Sequence, residues 1–391
     1  MIDPTTKMTA LEDIVRTIGS PIDAHIHLNG ANRHLADLAE KIGLRFLTVN
    51  TDYPDFFPSI DVQEEVALQA IQDYPGTVSY AATFSMDGWE DTEQWQPRTM
   101  DKIKASIANG AKAVKVWKNI GMSVKDNVLK NSDHWLGRLY QKLSGDRYRI
   151  VKRGIELTAG TLYRDNRCGK FIMISDPRFD PIFAYLADAG IPVIGHIGEP
   201  LNCWLPLEEM TTLCDREYFE AQSTYHMHLR PENPTHEQLI DARDERLRKN
   251  PDLIFVAAHL ASLEHSIDEL GRRLDEFPNM YVDLAGRVCH LQVQSQKNRD
   301  AVREFMQKYQ DRIIYGTDIF IDGTENAEEL RNKIETRWIN DWNYLATGNT
   351  MVVHELHGSF QGLCLPEEVL VKIYRTHAER VYGLNPAPQP L

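Results

Sequence analysis

Eight short apolar runs, spaced along the chain by amphipathic stretches, constrain its fold more than any other feature. They are Ile22–His25, Arg45–Asn50, Val78–Phe84, Ala113–Trp117, Pro192–Ile197, Leu253–His259, Met280–Leu284 and Ile313–Asp318. Several are apolar at nearly every position before ending in a polar residue, as strands are when helices cover a parallel sheet. The intervening stretches carry helix starts. Thr235 with Gln238 forms a capping box ahead of a run to Lys249. Ser262 is placed to cap a helix through Phe277, and Pro366 suits the first turn of the last helix. Strand and helix in repeated alternation predict an α/β fold, a (β/α)8 TIM barrel forming one domain over 1–391, with its active site at the C-terminal strand ends.

The rhythm breaks after the fourth and fifth strands, where long loop insertions are expected. About seventy residues separate Trp117 from Pro192, roughly twice what a strand–helix–strand crossover needs. Within 127–164 lie eight Lys or Arg against three acids, in a chain of net charge -14. That segment reads as an insertion, open to service as a lid, an oligomer contact or an excursion without chemistry. A second insertion, 202–234, is rich in Tyr, His and Trp.

The acidic balance argues against a nucleic-acid partner, because phosphate binding needs basic patches. No run approaches the roughly 20 apolar residues of a membrane span. Residues 1–17 lack the apolar core of a secretory signal, so a cytoplasmic protein is expected, although a leader already removed would leave no trace. Five cysteines without CxxC spacing (Cys168, Cys203, Cys214, Cys289, Cys364) read as free thiols. The expected partners are a small-molecule substrate and further copies of the chain in a homo-oligomer.

Reading the strand ends in order gives a constellation. Side chains two apart on a strand share a face, so His25 and His27 aim two imidazoles at one point. His196 ends the fifth run, His259 the sixth and Asp318 the eighth. On a barrel these four imidazoles and one carboxylate converge on a single rim. Such donors suit Zn, Mn, Fe or Ni better than Ca or Mg.

These strand ends, together with the closing stretch Leu365-Pro366-Glu367-Glu368-Val369 to Ala378-Glu379-Arg380-Val381-Tyr382-Gly383-Leu384, resemble the amidohydrolase superfamily. Within it they are similar to the branch that holds pyrone-dicarboxylate lactonase-like hydrolases and aminocarboxymuconate-semialdehyde decarboxylase-like enzymes. The resemblance runs from about Ile22 to Leu384. It implies a distorted (β/α)8 barrel with one or two divalent metals, zinc first among them. It implies His25, His27, His196 and Asp318 as ligands, and His259 as a catalytic acid/base or a ligand to a second metal. Binuclear relatives place a carboxylated lysine or a glutamate on the fourth strand. Alternation directs Lys115 and Trp117 inward here, so Lys115 is aimed to bridge two ions if carboxylated. The branch is typically mononuclear, which leaves Lys115 as an ammonium that binds an anionic substrate or pairs with Asp318.

Arg287, just past the seventh run, is the candidate carboxylate clamp. Glu199, three residues after His196, is placed to orient a ligand, to contact substrate or to form a turn. Trp117, Asn29, Asn50 and Trp204 are placed to shape the pocket, and Cys203 to approach it. His226 and His228 repeat the HxH spacing inside a loop. His354 and His357 are three apart, not four, which rules out a zinc-protease signature.

The expected reaction is metal-dependent hydrolysis: activated water attacks a lactone, ester or amide carbonyl of a small carboxylated substrate. Asp318 would take the water's proton, and His259 would polarise the carbonyl or protonate the leaving oxygen. The alternative on the same barrel is non-oxidative decarboxylation, with His259 or Asp318 protonating carbon. A TatD-type nuclease would need an acidic ligand on the fourth strand, where Lys115 and Trp117 stand. A non-catalytic scaffold with a structural metal would not need His259.

Overall fold

A computed structural model describes residues 4–53, 56–125, 151 and 170–384; the predicted insertion 127–164 lies outside these except for Val151. The eight runs are parallel strands: β1 (Ile22–Leu28), β2 (Arg45–Val49), β3 (Val78–Thr83), β4 (Val114–Val116), β5 (Val193–Gly195), β6 (Phe255–Ala257), β7 (Met280–Asp283) and β8 (Ile313–Ile314), each beside its successor. The eighth run continues after a break as β9 (Ile319–Ile321), and it is what closes the barrel. Its first part pairs with β7 and its second with β1. Between the two, Ala24 N donates to Tyr315 O at 3.0 Å and Asp318 N to His25 O at 2.8 Å. One stretch of backbone therefore bonds the seventh strand on one side and the first on the other.

Inside the barrel, Ile22, Ala24, Leu47, Val49, Ala81, Ala113, Ile194, Val256 and Ile314 pack against Ala378, Val381, Tyr382 and Leu384. The C-terminal segment thus plugs the end opposite the histidines. Alternate residues such as Phe46, Val114, Val193 and Phe255 face outward into the layer shared with the helices. β1 departs from this alternation. Its register against β2 shifts between Asp23 and Ile26, and such a bulge resets which residues face one side. Ile22 and Ala24 consequently join the interior plug while His25 and His27, of opposite parity, still point inward.

The capping box forms as expected on the helix His236–Lys249, with Thr235 and Gln238 bonded reciprocally. Pro366 stands at the N-cap of the helix Glu367–Val371. Ser262 does not cap a helix. The helix Ile267–Glu276 begins four residues later than expected, on Ser266, whose side chain accepts from Glu269 N. Ser262 instead ends a left-handed turn over His259, Leu260, Ala261 and Ser262, with φ of 60°, 54°, 61° and 54°.

Gly195, beside His196, has no room for a side chain: a Cβ would meet the Phe255 ring at 2.1 Å. Gly195→Ala is expected to lower stability by about 1–3 kcal/mol, the cost of overpacking a close-packed layer. Urea unfolding of the two proteins checks this.

Candidate metal centre

The rim opposite the plug collects the strand ends. His25 and His27 come from the second half of strand β1, and Lys115 from the inward face of β4. His196 follows β5, His259 follows β6, and Asp318 ends the break between β8 and β9. Alternation after the inward Val256 and Ala258 would turn His259 outward. The left-handed turn returns it to the interior. Ring centroids lie 4.2 Å apart for His196 and His259, 5.0 Å for His25 and His259, and 5.3 Å for His25 and His27. His25, His259 and Asp318 offer ligand atoms all within 4.8 Å of one another. His27 Nε2 is 3.2 Å from Asp318 Oδ1 and His25 Nε2 is 3.8 Å from it. Four imidazoles and the carboxylate do meet, and His259 stands as close as the residues expected to be ligands.

Hydrogen bonds set the tautomers. A backbone carbonyl only accepts, so His27 Nδ1 must donate to Val49 O at 2.7 Å, and His259 Nδ1 to Ala285 O at 2.8 Å. His25 Nδ1 donates to the Asp283 carboxylate at 2.7 Å. In its neutral form each ring then directs an Nε2 lone pair into the rim, the arrangement metal-binding histidines adopt. His196 Nε2 is buried with no hydrogen-bond partner among the described residues.

The electrostatics agree. Burial lowers the pKa of His27 and, more strongly, of His196 and His259. Burial would raise Asp318, yet the neighbouring imidazoles, His259 foremost, hold it well below the carboxylate range. An ionised carboxylate beside imidazoles that shed their protons readily is the donor set a divalent cation needs. These residues fit such an ion.

Three residues unrecognised in the sequence hold this geometry. Asp283, at the end of β7, accepts from His25 Nδ1, from His259 N at 2.7 Å and from Ala285 N at 3.2 Å. Its position as the last residue of a strand is the signal that could have found it. Arg243, buried on the capping-box helix, donates to Ala261 O at 2.5 Å, and His236 faces Ser262 O at 2.7 Å. Ser262 Oγ donates to Ile197 O at 2.9 Å. These contacts hold the left-handed turn against a cost of about 1–2 kcal/mol per residue.

Lys115 is buried, and burial lowers its pKa to about 8. Its Nζ is 3.3 Å from His25 Nε2, and no ion pair within 4 Å joins it to Asp318. An aromatic belt borders the rim: His27 packs on Phe57 at 5.3 Å and Phe320 at 4.8 Å, which also pack on each other at 5.3 Å, and Tyr53 lies on Trp117 at 4.3 Å and near Tyr225 at 6.2 Å. Glu199 pairs with Lys118 and lies 3.7 Å from His196 Nε2. Asp318 also opens onto a cavity of about 550 Å³ lined by Phe320, Cys289, Arg337 and Asp341.

The loop residues divide differently. His226 is tied to Leu205 O at 2.8 Å and stacks on Phe219, so it braces the loop and does not join the rim. His228 stacks on His226. Trp204 Nε1 donates to Pro234 O, and the Cys203 thiol to Tyr225 O. Cys203 is buried, which pushes its pKa up and keeps it a thiol.

A family model described as amidohydrolase matches residues 22–384. No curated protein matches the chain in sequence. Among solved structures it is similar to 2,6-dihydroxybenzoate decarboxylase from Rhizobium, at 11% identity and a TM-score of 0.48, covering 93% of this chain and 99% of that one. It is also similar to 4-oxalomesaconate hydratase from Rhodopseudomonas palustris, at 13% identity and 0.41, covering 93% and 95%. A third is 5-carboxyvanillate decarboxylase from Novosphingobium aromaticivorans, solved with bound manganese, at 11% and 0.42, covering 95% and 99%. Likeness at this level says nothing about chemistry.

Asp283→Asn keeps the shape but turns an amide N–H toward His25 Nδ1, which forces the proton onto Nε2. Metal affinity is expected to fall about 10–100-fold, as it does when partners of metal-ligating histidines are changed. Equilibrium dialysis with elemental analysis measures it; unchanged metal content would remove His25 from the ligand set.

Proposed function

This chain belongs to the amidohydrolase family, and from that premise we propose a metal-dependent enzyme acting on a small, planar, carboxylated substrate, with non-oxidative decarboxylation its best-fitting reaction. The observation that carries the substrate class is the state of Arg287. Among the described residues this half-buried guanidinium makes no ion pair within 4 Å, and its buried Nε has no partner. Its one hydrogen bond runs from Nη1 to Gly286 O at 3.0 Å. It lies near enough to His196 to help depress that imidazole.

The carboxylates around it lie close enough to stabilise its charge but bond to other groups. Of their oxygens, only Glu264 Oε2 is buried without a hydrogen bond among the described residues. Glu199 is paired with Lys118, Asp215 accepts from Asn202 at 2.8 Å and faces His290 at 3.1 Å, and Glu264 accepts from Leu201 N at 2.9 Å. Nε and the second Nη remain to hold a substrate carboxylate bidentately. The Tyr53–Trp117 pair offers flat apolar faces for a conjugated body.

His25, His27, His196 and Asp318 are assigned as the residues that hold the ion. A divalent metal bound there supplies Lewis-acid polarisation of a substrate oxygen, and manganese or iron fits the donor set as well as zinc. His259 is assigned the proton. Its single N–H is engaged by Ala285 O, so its resting Nε2 has no hydrogen with which to polarise a carbonyl, as hydrolysis would ask. That lone pair can take a proton from a substrate hydroxyl and return it to carbon as the carbon–carboxylate bond breaks and carbon dioxide leaves. An imidazolium with a depressed pKa gives up its proton readily.

Hydrolysis keeps one specific observation in its favour. The Asp318 side chain is 25% exposed, against 0%, 6% and 10% for His25, His27 and His196. Water can reach that carboxylate from the adjoining cavity.

Assays on carboxylated aromatics and on lactones separate the readings. Carbon dioxide release that is lost on chelation and restored by Mn or Zn is expected; ring opening with proton release and no carbon dioxide would establish hydrolysis instead. Arg287→Ala is expected to raise KM for a carboxylated substrate roughly 10–100-fold, the value of about 1.5–3 kcal/mol of charged hydrogen bonding, with kcat retained. His259→Asn is expected to lower turnover by about a hundredfold or more with metal content intact. Loss of metal in that variant would move His259 into the ligand set.

A further inference from the structure

Two thiols meet outside the metal rim. Cys214 Sγ and Cys289 Sγ are 3.7 Å apart. Each is the second residue of a helix, Leu213–Ala221 and Val288–Lys308, and the two helix starts face one another. The next residues meet as well, Asp215 Oδ2 lying 3.1 Å from His290 Nε2. Asp215 is further held by Asn202, so the segments carrying both thiols are braced in place.

We propose that Cys214 and Cys289 form a reversible disulfide under hydrogen peroxide, a redox modification site at the cavity that Cys289 shares with Asp318. Closing 3.7 Å to a disulfide bond of about 2.05 Å needs thiol rotation and a small approach, not refolding. Cys214 is half-buried and Cys289 buried, which makes Cys214 the attacking sulfur. The hydrogen bond from the Cys289 thiol holds the Cys214 pKa down to about 7, toward thiolate, and the helix N-terminus adds to this. Cys289 is held well above the ordinary thiol range by the same contact and by burial.

The chemistry balances in two steps. The Cys214 thiolate attacks one peroxide oxygen, the O–O bond breaks, and the sulfenic acid forms as the other oxygen leaves as water after protonation. The Cys289 sulfur then displaces that hydroxyl, giving the disulfide and a second water. Two electrons pass from the thiol pair to peroxide, and a dithiol reductant reverses the change. The bond fastens the loop helix after β5 to the turn after β7 that carries Arg287, two residues before Cys289.

Cys364, exposed and remote in sequence, is the internal control. The metal-loaded protein is titrated with peroxide, alkylated, digested without reduction and analysed by mass spectrometry. A peptide linking Cys214 to Cys289, lighter by two hydrogens, is expected before Cys364 is modified, and dithiothreitol should abolish it. Cys214→Ser and Cys289→Ser should each remove the link. Should the buried variant fail to fold, Cys214→Ser with an unchanged circular dichroism spectrum serves as the control. Oxidation of Cys364 while Cys214 and Cys289 stay alkylatable would overturn the proposal. So would oxidation of Cys214 to sulfinic acid without a linked peptide. The readout is mass, so it is independent of which reaction the enzyme performs.

Discussion

The Asp283 carboxylate is the constraint on which the rim depends. It is buried at the end of β7 and accepts from His25 on β1, from the backbone of His259 after β6 and from its own chain at Ala285. Burial would push a carboxyl toward its neutral form, yet the His25 imidazole beside it holds the pKa below the ordinary value. An ionised acceptor then fixes the His25 tautomer, and the same oxygen pair anchors the start of the left-handed turn. One side chain thus ties three strand ends into a common geometry. Without it, His25 could present either nitrogen, and the turn carrying His259 would lose its first anchor.

The left-handed turn extends the same logic. Four successive non-glycine residues in that region are costly, and cost of this kind persists only where surroundings over-determine the conformation. Here Asp283 binds the first residue, Arg243 and His236 bind the carbonyls of the last two, and Ser262 reaches back to Ile197. The His259 imidazole is therefore set by three elements of the barrel at once. Its position is a property of the assembled fold more than of the segment that contains it.

That distinction explains what could be read from the chain alone. Patterns that repeat locally were legible: the eight apolar runs, the shared face of His25 and His27, the inward aim of Lys115, and the Thr235–Gln238 capping box. The convergence of His196, His259 and Asp318 followed from strand ends and barrel topology. The left-handed turn did not, because His259-Leu260-Ala261-Ser262 contains no glycine or asparagine to signal it, and tertiary contacts impose it. For the same reason Ser262 looked like a helix cap when Ser266 holds that place. Asp283 obeyed the strand-end rule but carries no metal-ligand motif. The pairing of Cys214 with Cys289, 75 residues apart, is visible only once two helix starts are brought together.

The plug at the closed end of the barrel has a consequence for the order of folding. Its residues, Ala378 to Leu384, fill the interior beneath β1, whose histidines lie more than three hundred positions earlier. Contacts of such sequence separation form late, because the chain must close a long loop before they reward it. The first two imidazoles come well before the carboxylate in sequence, and the plug comes later still. The rim is therefore complete only once segments this far apart in sequence have been brought together. Rim assembly is consequently expected among the late steps of folding, after the first strand has met the plug.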